Sequence, residues 1–393
     1  MPQIAAPSHF KQLRDWTERK HAVLEDYLPA FCRALSKHIR GGAIWYVDGY
    51  AGAGIYRDPN NPADNNAIGS PVLAARITRG LPYPIQCLNV EGDDDNFASL
   101  HRETAAFTHV ENIHADFNTV VEEVLAKVTG TPAFFFLDPF GTKALPMEGL
   151  IDRIALRTSP TDLLLRYATE TVRRLVGAYE KADKRSHAHA RNLDKWFRGQ
   201  EWRTIIEHNT GPARDEALLH YYLKQLLSIS NGQIRFVCAY PIRSNEGFTK
   251  YHLVFATGNR LGMKLMSDIL FKADAKYEED FAAYQKQKDI DKRHGQASIF
   301  DLLGDDLDPV PNAALADRIV KLKQSILEQA QDGHLNWEFD ELLYALTENG
   351  WFAQFSEKDF RAACKELYAE GQIERISGGR GWSRGTEFTI RLA

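Results

Sequence analysis

Residues 43–56, AIWYVDGYAGAGIY, form an apolar run that ends at an acid and passes at once into a glycine loop. The run ends at Asp48, and Gly49, Gly52 and Gly54 follow in a G-x-x-G-x-G pattern. Glycines at the carboxyl end of a strand let backbone N–H groups approach a ligand closely. The spacing differs from the G-x-G-x-x-G of dinucleotide-binding folds. It predicts a cofactor loop of another kind, and a plain structural turn explains the same glycines.

Apolar runs and helix-like stretches alternate after this loop. The runs are residues 43–47, 85–90, 108–114, 133–138 and 162–167, and helix-like stretches include 93–106 and 116–128. Such alternation is typical of a parallel sheet covered on both faces. Two longer runs, 233–242 and 248–257, are joined by RSNEG, which favours a hairpin. We therefore predict an α/β fold with a Rossmann-like sheet that ends in an antiparallel hairpin, the arrangement of class I methyltransferases.

The rest of the chain divides around this domain. We predict an N-terminal helical extension (1–40), a methyltransferase-like domain (41–285) with a basic helical insert (168–230), a polar linker (286–314) and a C-terminal domain (315–393). The last part has three helical stretches followed by two strands around a glycine-rich basic loop. That order predicts a winged helix.

Composition limits the classes of function. The net charge of −5 gives no global basic signal, so any surface for nucleic acid must be local. No apolar run approaches the roughly 18 to 20 residues that a membrane span needs, and the first residues do not resemble a signal peptide. The four cysteines form no CxxC pair and the histidines do not converge at ligand spacing, so we predict no metal. We expect a cytoplasmic protein.

Two further acids follow the next strands. Glu91 ends the second run, where a carboxylate accepts ribose hydroxyls, and Asp116 follows the third, near the expected adenine. Asp48 is placed to pair an ammonium group, which favours S-adenosylmethionine (SAM). Asp116 and the acids after Glu91 are also explained as helix N-terminal acids. The predicted cofactor-binding residues are Asp48, Gly49, Tyr50, Ala51, Gly52, Gly54, Glu91 and Asp116.

The first loop is unusually long for a strand-to-helix connection. Residues 57–70, RDPNNPADNNAIGS, exceed the few residues that such connections usually have. Ser70 followed by Pro71 predicts an N-cap with proline at the first helical position. The extra length predicts a lid over the cofactor or a substrate contact, and a simple insertion explains it equally.

The turn Asp138-Pro139-Phe140-Gly141 follows the fourth run. Amino-group methyltransferases place an Asp/Asn-Pro-Pro-aromatic turn here, in which a carboxylate and a backbone carbonyl accept hydrogen bonds from the target amine. Here Phe140 replaces the second proline and Gly141 the aromatic residue, and a plain tight turn is the alternative. We predict that Asp138, Pro139 and Phe140 are catalytic and that the acceptor is a base taken out of its stack.

These motifs, together with DWTERKHAVLEDYLPAF (15–31) and KYHLVFATGNRLGMKLMSDIL (250–270), resemble the three-Cys-motif partner (TcmP) family. The resemblance covers approximately residues 9–285 and is most specific in the glycine loop, in the Asp138 turn and at Lys20 and His21. It implies a methyltransferase-like fold and a partner whose three cysteines ligate a radical-SAM iron–sulfur cluster. It does not fix the substrate.

Two basic segments predict contact with nucleic acid, DNA rather than RNA. Residues 166–203 carry ten Lys/Arg against five Asp/Glu, interleaved with Tyr179, Trp196, Phe197 and Trp202, which would stack bases. A solvated helix with core aromatics explains the same pattern, and a winged helix also serves as a protein-contact module. The predicted contacts are Arg173, Arg174, Lys184, Arg185, Arg198, Lys358, Arg361 and Arg380.

Residues 296–300, QASIF, resemble the peptide by which bacterial proteins bind the sliding clamp, with Gln296 and Phe300 as its ends. The main hypothesis is a SAM-dependent methyltransferase that acts on an exocyclic amine of nucleic acid. The alternative is an inactive methyltransferase-fold subunit that presents DNA to the three-cysteine partner. Methylation of a small molecule is a third hypothesis, with less support because it leaves the basic insert and the tail without a role.

Overall fold

The computed structural model describes two compact units, Met1–Met263 and Lys264–Ala393. The described residues are 15–37, 42–56, 67–139, 145–181, 186–244, 247–293, 311–330, 335–378 and 381–391. Several predicted site residues lie outside these ranges: Phe140, Gly141, Lys184, Arg185, Gln296, Phe300 and Arg380. Among the helices within these ranges, none combines the length and the apolar character that crossing a membrane requires.

A seven-stranded sheet forms the centre of the first unit. The strands of this unit are β1 (Ile44–Asp48), β2 (Ile55–Tyr56), β3 (Ala67–Ile68), β4 (Ile85–Glu91), β5 (Val110–His114), β6 (Ala133–Leu137), β7 (Thr161–Tyr167), β8 (Phe236–Arg243) and β9 (Thr249–Thr257). The sheet order is β5-β4-β1-β6-β7-β9-β8, while β2 and β3 pair separately. Strands β5, β4, β1, β6 and β7 are parallel to one another, and β9 is antiparallel to both of its neighbours, β7 and β8.

The predicted α/β class, with a mostly parallel sheet that ends in an antiparallel hairpin, is therefore confirmed. The order of the strands reverses between β1 and β6. In open parallel sheets, ligands bind outside the carboxyl ends of the strands at such a reversal. Asp48 ends β1 and Asp138 directly follows β6, so both acids lie at this point.

Helices cover both faces of the sheet. They are α1 (Asp15–Ser36), α2 (Ser70–Arg79), α3 (Asp94–Thr104), α4 (Phe117–Lys127), α5 (Asp152–Ala155), α6 (Thr169–Glu180), α7 (Ser186–Phe197), α8 (Trp202–His208) and α9 (Gly211–Ile229). Helix α10 (Arg260–Arg293) begins in this unit and continues in the second. Side chains alternate between the two faces of a strand. Phe134 on β6 packs against Tyr27 of α1, with ring centroids 5.3 Å apart. Phe135 faces the opposite core, which also contains Trp196 and Trp202 of the insert.

Helix α1 positions side chains at the carboxyl end of the sheet. Leu24, Tyr27, Leu28 and Phe31 recur at three- and four-residue spacing and are buried. The Tyr27 hydroxyl donates a hydrogen bond of 2.5 Å to Asp162 Oδ2 on β7. This contact and the apolar face fix α1 on the sheet, and they place its N-terminal part beside the turn after β6.

Two local predictions differ from the structure. Gly69, not Ser70, is the N-cap of α2, because the Ser70 hydroxyl donates to Asp48 and makes no cap. Residues 286–293, predicted as linker, continue α10 to Arg293. They are polar but contain neither glycine nor proline, so no residue there stops the helix. Most of the predicted linker lies outside the described residues.

The second unit contains a small three-stranded antiparallel sheet. Beyond α10, its described elements are α11 (Pro311–Glu328), β10 (Asn336–Glu338), α12 (Phe339–Leu346), α13 (Glu357–Ala369), β11 (Ile373–Ser377) and β12 (Glu387–Ile390). The sheet order is β10-β12-β11, and β10 was not predicted. Leu322, Phe360 and Phe388 are fully buried in one core. The three helices and the strands of the hairpin match the prediction, and the winged-helix assignment stays a prediction.

Candidate active site

The glycine loop after β1 is held by backbone hydrogen bonds to two neighbouring strands. Gly49 N donates to Phe136 O at 3.1 Å, and Ala51 N donates to Val90 O at 3.0 Å. Gly52 has a φ of 65°, in the left-handed region that favours glycine. The loop is therefore a defined structure, attached to the ends of β6 and β4 on either side of β1.

Asp48 lies beneath this loop and is completely buried. Its carboxylate accepts hydrogen bonds from Ser70 Oγ at 2.7 Å, from the Tyr46 hydroxyl at 3.1 Å and from Tyr50 N at 3.2 Å. Burial raises the pKa of Asp48 to about 6, although these hydrogen bonds oppose the shift. In this geometry the carboxylate contacts the loop and α2, and it has no exposed surface for the ammonium group of a ligand.

Glu91 joins the end of β4 to the glycine loop. Its Oε2 accepts from Gly52 N at 2.7 Å and its Oε1 from Asp93 N at 2.8 Å. An ionised carboxylate has about four lone-pair sites, so capacity for further donors remains. Glu91 is partly exposed, which leaves it accessible to a hydroxyl.

Asp116 is exposed and caps α4, where its carboxylate accepts from Asn118 N at 2.9 Å. The helix N-terminal role that the sequence left open is therefore present. The chain next to it is tied to β4, because Ala115 N donates to Glu91 O at 3.0 Å. Glu91 and Asp116 consequently stand on adjoining turns at the same edge of the sheet.

Asp138, on the other side of the strand reversal, is held by cations. Its Oδ2 forms a partly buried ion pair with Lys20 Nζ of α1, and Arg166 Nε of β7 lies 4.0 Å from its Oδ1. Arg166 also donates through Nη1 to Pro139 O at 3.1 Å. Burial alone would raise the pKa of Asp138, but Lys20 and then Arg166 outweigh it and hold this pKa below its usual value.

His21 lies beside this ion pair. The residue is 7% exposed, and its Nε2 is enclosed without a hydrogen-bond partner among the described residues. Its ring centroid is 6.1 Å from that of Tyr56 on β2. Burial and the Lys20 charge lower the pKa of His21 to about 3, so the imidazole is neutral at physiological pH.

Sequence reasoning gave no chemical role to the residues around Asp138. Lys20 and His21 were noted only through the family resemblance, and Arg166 and Tyr251 were not predicted as site residues. The Arg166 guanidinium lies over the Tyr251 ring, 4.7 Å from its centroid. The sequence signal that could have identified Arg166 is its charge directly after three leucines in the strand DLLLRY (162–167).

The insert provides less of a nucleic-acid surface than predicted. Trp196, Phe197 and Trp202 are fully buried, and Tyr179 packs on Trp202 with centroids 5.1 Å apart. Their proposed role in stacking bases is therefore wrong, because they fill the core between the insert and the sheet. Arg173 pairs with Asp215 at 2.6 Å, Arg198 with Asp152 at 3.5 Å, and both remain about half exposed, while Arg174 is exposed.

In the second unit, the two described residues that were predicted to contact nucleic acid differ in how far they are exposed. Lys358 on α13 is exposed. Arg361 is half-buried, donates to Trp382 O and pairs with Glu357 at 2.7 Å. Arg361 thus ties α13 to the segment before β12, and its guanidinium is only partly available to a phosphate.

The donor set fits a nucleoside cofactor. A left-handed glycine loop, a partly exposed carboxylate at the end of β4 and an exposed acid after β5 are the groups that a ribose and an adenine require. Within the described ranges, no three His, Cys, Asp or Glu side chains are grouped as metal ligands.

Comparisons with known proteins find structural likeness only. No family model matches the sequence, so the TcmP resemblance stays a prediction, and no curated protein matches it. A Legionella pneumophila protein of solved structure covers 62% of this chain and 85% of its own, with 13% identity and a TM-score of 0.36. The match to the DszA carbon methyltransferase covers 63% of this chain and 55% of that protein, with 12% identity and a TM-score of 0.38.

The N-methyltransferase NodS from Bradyrhizobium japonicum, solved with S-adenosyl-L-homocysteine, covers 63% of this chain and 89% of its own. Its identity is 10% and its TM-score 0.31. At this level of similarity, the assignment of the fold depends on the strand order of the sheet itself.

Proposed function

We propose that the protein is a SAM-dependent methyltransferase. The observation that carries the proposal is the contact between Glu91 and Gly52 N beside the reversal of strand order. This hydrogen bond joins a left-handed glycine loop to a carboxylate that can accept further hydrogen bonds. In such folds this edge of the sheet binds a nucleoside, with an acid at the end of the second strand on the ribose hydroxyls.

Each predicted cofactor residue then has a defined task. Glu91 accepts the ribose hydroxyls, Asp116 lies at the adenine, and the loop from Gly49 to Gly54 follows the methionine end. Asp48 acts as a positioning residue through Ser70 and Tyr50, because it is buried beneath the loop. The cofactor, when bound, supplies an electrophilic methyl group on a sulfonium.

The acceptor in this proposal is an exocyclic amine of a nucleic-acid base. Asp138 stands at the end of β6, and its Oδ1 is enclosed without a hydrogen-bond partner among the described residues. An ionised carboxylate in that position accepts an N–H and directs the nitrogen lone pair. Arg174 and Lys358 would follow phosphates, with the second unit as a winged helix.

The second candidate is an inactive methyltransferase-fold subunit that presents DNA to a three-cysteine partner. The ion pairs of Asp138 with Lys20 and Arg166 favour it, because a carboxylate balanced by two cations is a weaker acceptor. Binding of the sliding clamp through Gln296 to Phe300 is compatible with both candidates. Co-purification with the three-cysteine partner and absence of methyl transfer in the presence of DNA would support the second.

Calorimetric titration with SAM tests the cofactor site. We expect saturable binding that Glu91→Ala weakens about tenfold or more, because charged acceptors of hydrogen bonds contribute roughly 1.5 to 3 kcal/mol. Glu122→Ala is the matched control, since Glu122 is an exposed glutamate on α4 that pairs with Arg153. No binding by the folded wild-type protein, or equal loss in both variants, would contradict the proposal.

The acceptor side is tested by Asp138→Ala, together with the isosteric Asp138→Asn in case the smaller side chain impairs folding. We expect unchanged SAM affinity and loss of methyl transfer, because in this proposal Asp138 contacts the substrate amine and not SAM. Loss of SAM binding in folded Asp138→Asn would instead place Asp138 in the cofactor site.

A further inference from the structure

Two enclosed polar atoms beside the Lys20–Asp138 pair have no hydrogen-bond partner among the described residues. They are Asp138 Oδ1 and His21 Nε2. Buried polar atoms are almost always hydrogen-bonded, so adjacent exceptions require an explanation. His21 directly follows Lys20 in α1, and Lys20 Nζ pairs with Asp138 Oδ2, so both groups are neighbours of the same ammonium.

The surrounding contacts fix what these atoms offer. Lys20 engages the other oxygen of Asp138 and keeps the carboxyl ionised, so Oδ1 is an acceptor. His21 is neutral beside the Lys20 ammonium, and in the tautomer that carries its hydrogen on Nδ1 the Nε2 atom is an acceptor. Together they present two acceptors to a group with two N–H bonds, and Arg166 Nε, 4.0 Å from Oδ1, is the cation that faces the same carboxylate oxygen.

We propose that His21 Nε2 is the second acceptor for the substrate amine and takes the proton that methyl transfer releases. The proposal depends on the proposed function. One amine hydrogen bonds to Asp138 Oδ1 and the other to His21 Nε2. A pyramidal nitrogen held in this way has its lone pair directed away from both acceptors and toward the methyl group.

The reaction balances with SAM as the only co-reactant. The nitrogen lone pair forms the N–C bond while the C–S bond breaks, and its electrons stay on sulfur in S-adenosylhomocysteine. The methylated nitrogen then carries a positive charge and gives one proton to His21 Nε2. A weakly basic imidazole suffices, because an exocyclic ammonium on an aromatic ring is a strong acid. The imidazolium next to Lys20 passes its proton to solvent.

Binding of oligonucleotides tests this role without the methyl-transfer reaction. Two pairs of single-stranded probes are compared at one salt concentration with S-adenosylhomocysteine present: adenine against purine, and cytosine against pyrimidin-2-one. The members of each pair differ by the amine. We expect wild type to prefer the amine-bearing base of one pair about tenfold, and His21→Leu to lose most of that preference without weaker binding of the amine-free probe.

His21→Gln and His208→Gln complete the experiment. The glutamine introduced by His21→Gln accepts a hydrogen bond but takes no proton, so this variant should keep the preference and lose about 100-fold in kcat. His208 is an exposed histidine at the end of α8 and serves as the matched control, with preference and kcat unchanged.

Three outcomes would overturn the inference. Equal binding of both members of each pair by wild type would remove the amine from recognition. Equal weakening of both probes by His21→Leu would make His21 structural, and unchanged kcat in His21→Gln would remove the proton transfer. In all three cases intact SAM binding would leave the cofactor proposal standing, whereas loss of SAM binding by wild type would contradict that proposal itself.

Discussion

The two halves of the crevice at the strand ends hold their carboxylates in different ways. On the β1–β4–β5 half, Asp48, Glu91 and Asp116 accept hydrogen bonds from backbone N–H groups and from hydroxyls. On the β6–β7 half, Asp138 is balanced by Lys20 and Arg166. A carboxylate that accepts hydrogen bonds from neutral donors keeps its negative charge, which can then attract a ligand. A carboxylate paired with cations has its charge largely neutralised. In the proposed function, the first half binds the hydroxyls of the cofactor and the second orients a neutral amine.

The largest effect on the free energy of unfolding is expected from removing the ion pair between Lys20 and Asp138. Lys20→Met leaves Asp138, whose side chain is only 20% exposed, without its closest cation, and removal of one member of a buried pair costs about 3 kcal/mol or more. Lys127→Met is the matched control, because Lys127 pairs with Glu111 at 2.7 Å on the surface. Surface pairs contribute at most about 1 kcal/mol. Urea unfolding of both variants measures the difference, and equal losses would contradict the contrast between the two halves.

The pH dependence of stability should have opposite signs in the two halves. The pKa of Asp48 is raised to about 6 in the folded protein, so its folded form binds more protons than the unfolded form, and stability falls as pH rises toward 6. The pKa of His21 is lowered to about 3 by burial and Lys20, with Asp138 opposing. Its unfolded form binds more protons, and stability rises with pH up to its unfolded pKa.

Urea unfolding at about pH 4.5 and about pH 6.5 measures both slopes in Asp48→Asn and His21→Leu. Relative to Asp48→Asn, wild type should lose about 2 kcal/mol between these pH values. Relative to His21→Leu, it should gain about 2 kcal/mol. Slopes of the same sign would contradict the assigned environments.

The smallest effect on stability is expected in the glycine loop. Gly52→Ala should cost about 1 to 2 kcal/mol, because an alanine in the left-handed region brings Cβ close to the carbonyl. Gly130→Ala is the matched control: its φ is 72° and the added Cβ would meet nothing within 4 Å. Both should lose similar stability, but only Gly52→Ala should weaken SAM binding in calorimetry. Equal SAM affinity in the two variants would separate the loop from the cofactor.

The sequence predicts the positions of strand ends and helix starts best where the determining contacts are local. Asp48 with Tyr50, Glu91 with Asp93, and Asp116 with Asn118 each join residues two positions apart. Strand ends and helix starts therefore indicated the glycine loop and its acids. Ser70 misled, because its hydroxyl had two possible acceptors and the distant one, Asp48, is the one it contacts.

The aromatic residues of the insert show where prediction from the sequence fails. Trp196, Phe197 and Trp202 alternate with basic residues in a pattern that fits either stacked bases or a core. Burial decides between the two, and it depends on how α6 to α9 pack over the sheet. The same limit applies to Arg166, whose contact with Pro139 joins a strand to the turn after its neighbour.

The amino-acid sequence by itself determined the alternation of strands and helices, the antiparallel end of the sheet and the acids that follow β1, β4 and β5. These follow from periodicity and from short-range hydrogen bonding, which neighbouring residues specify. Only the tertiary structure decided that Asp48 is buried beneath its loop and that Lys20 reaches Asp138, 118 positions away. The packing of α1 across the sheet brings that pair together, and no local pattern encodes the distance between them.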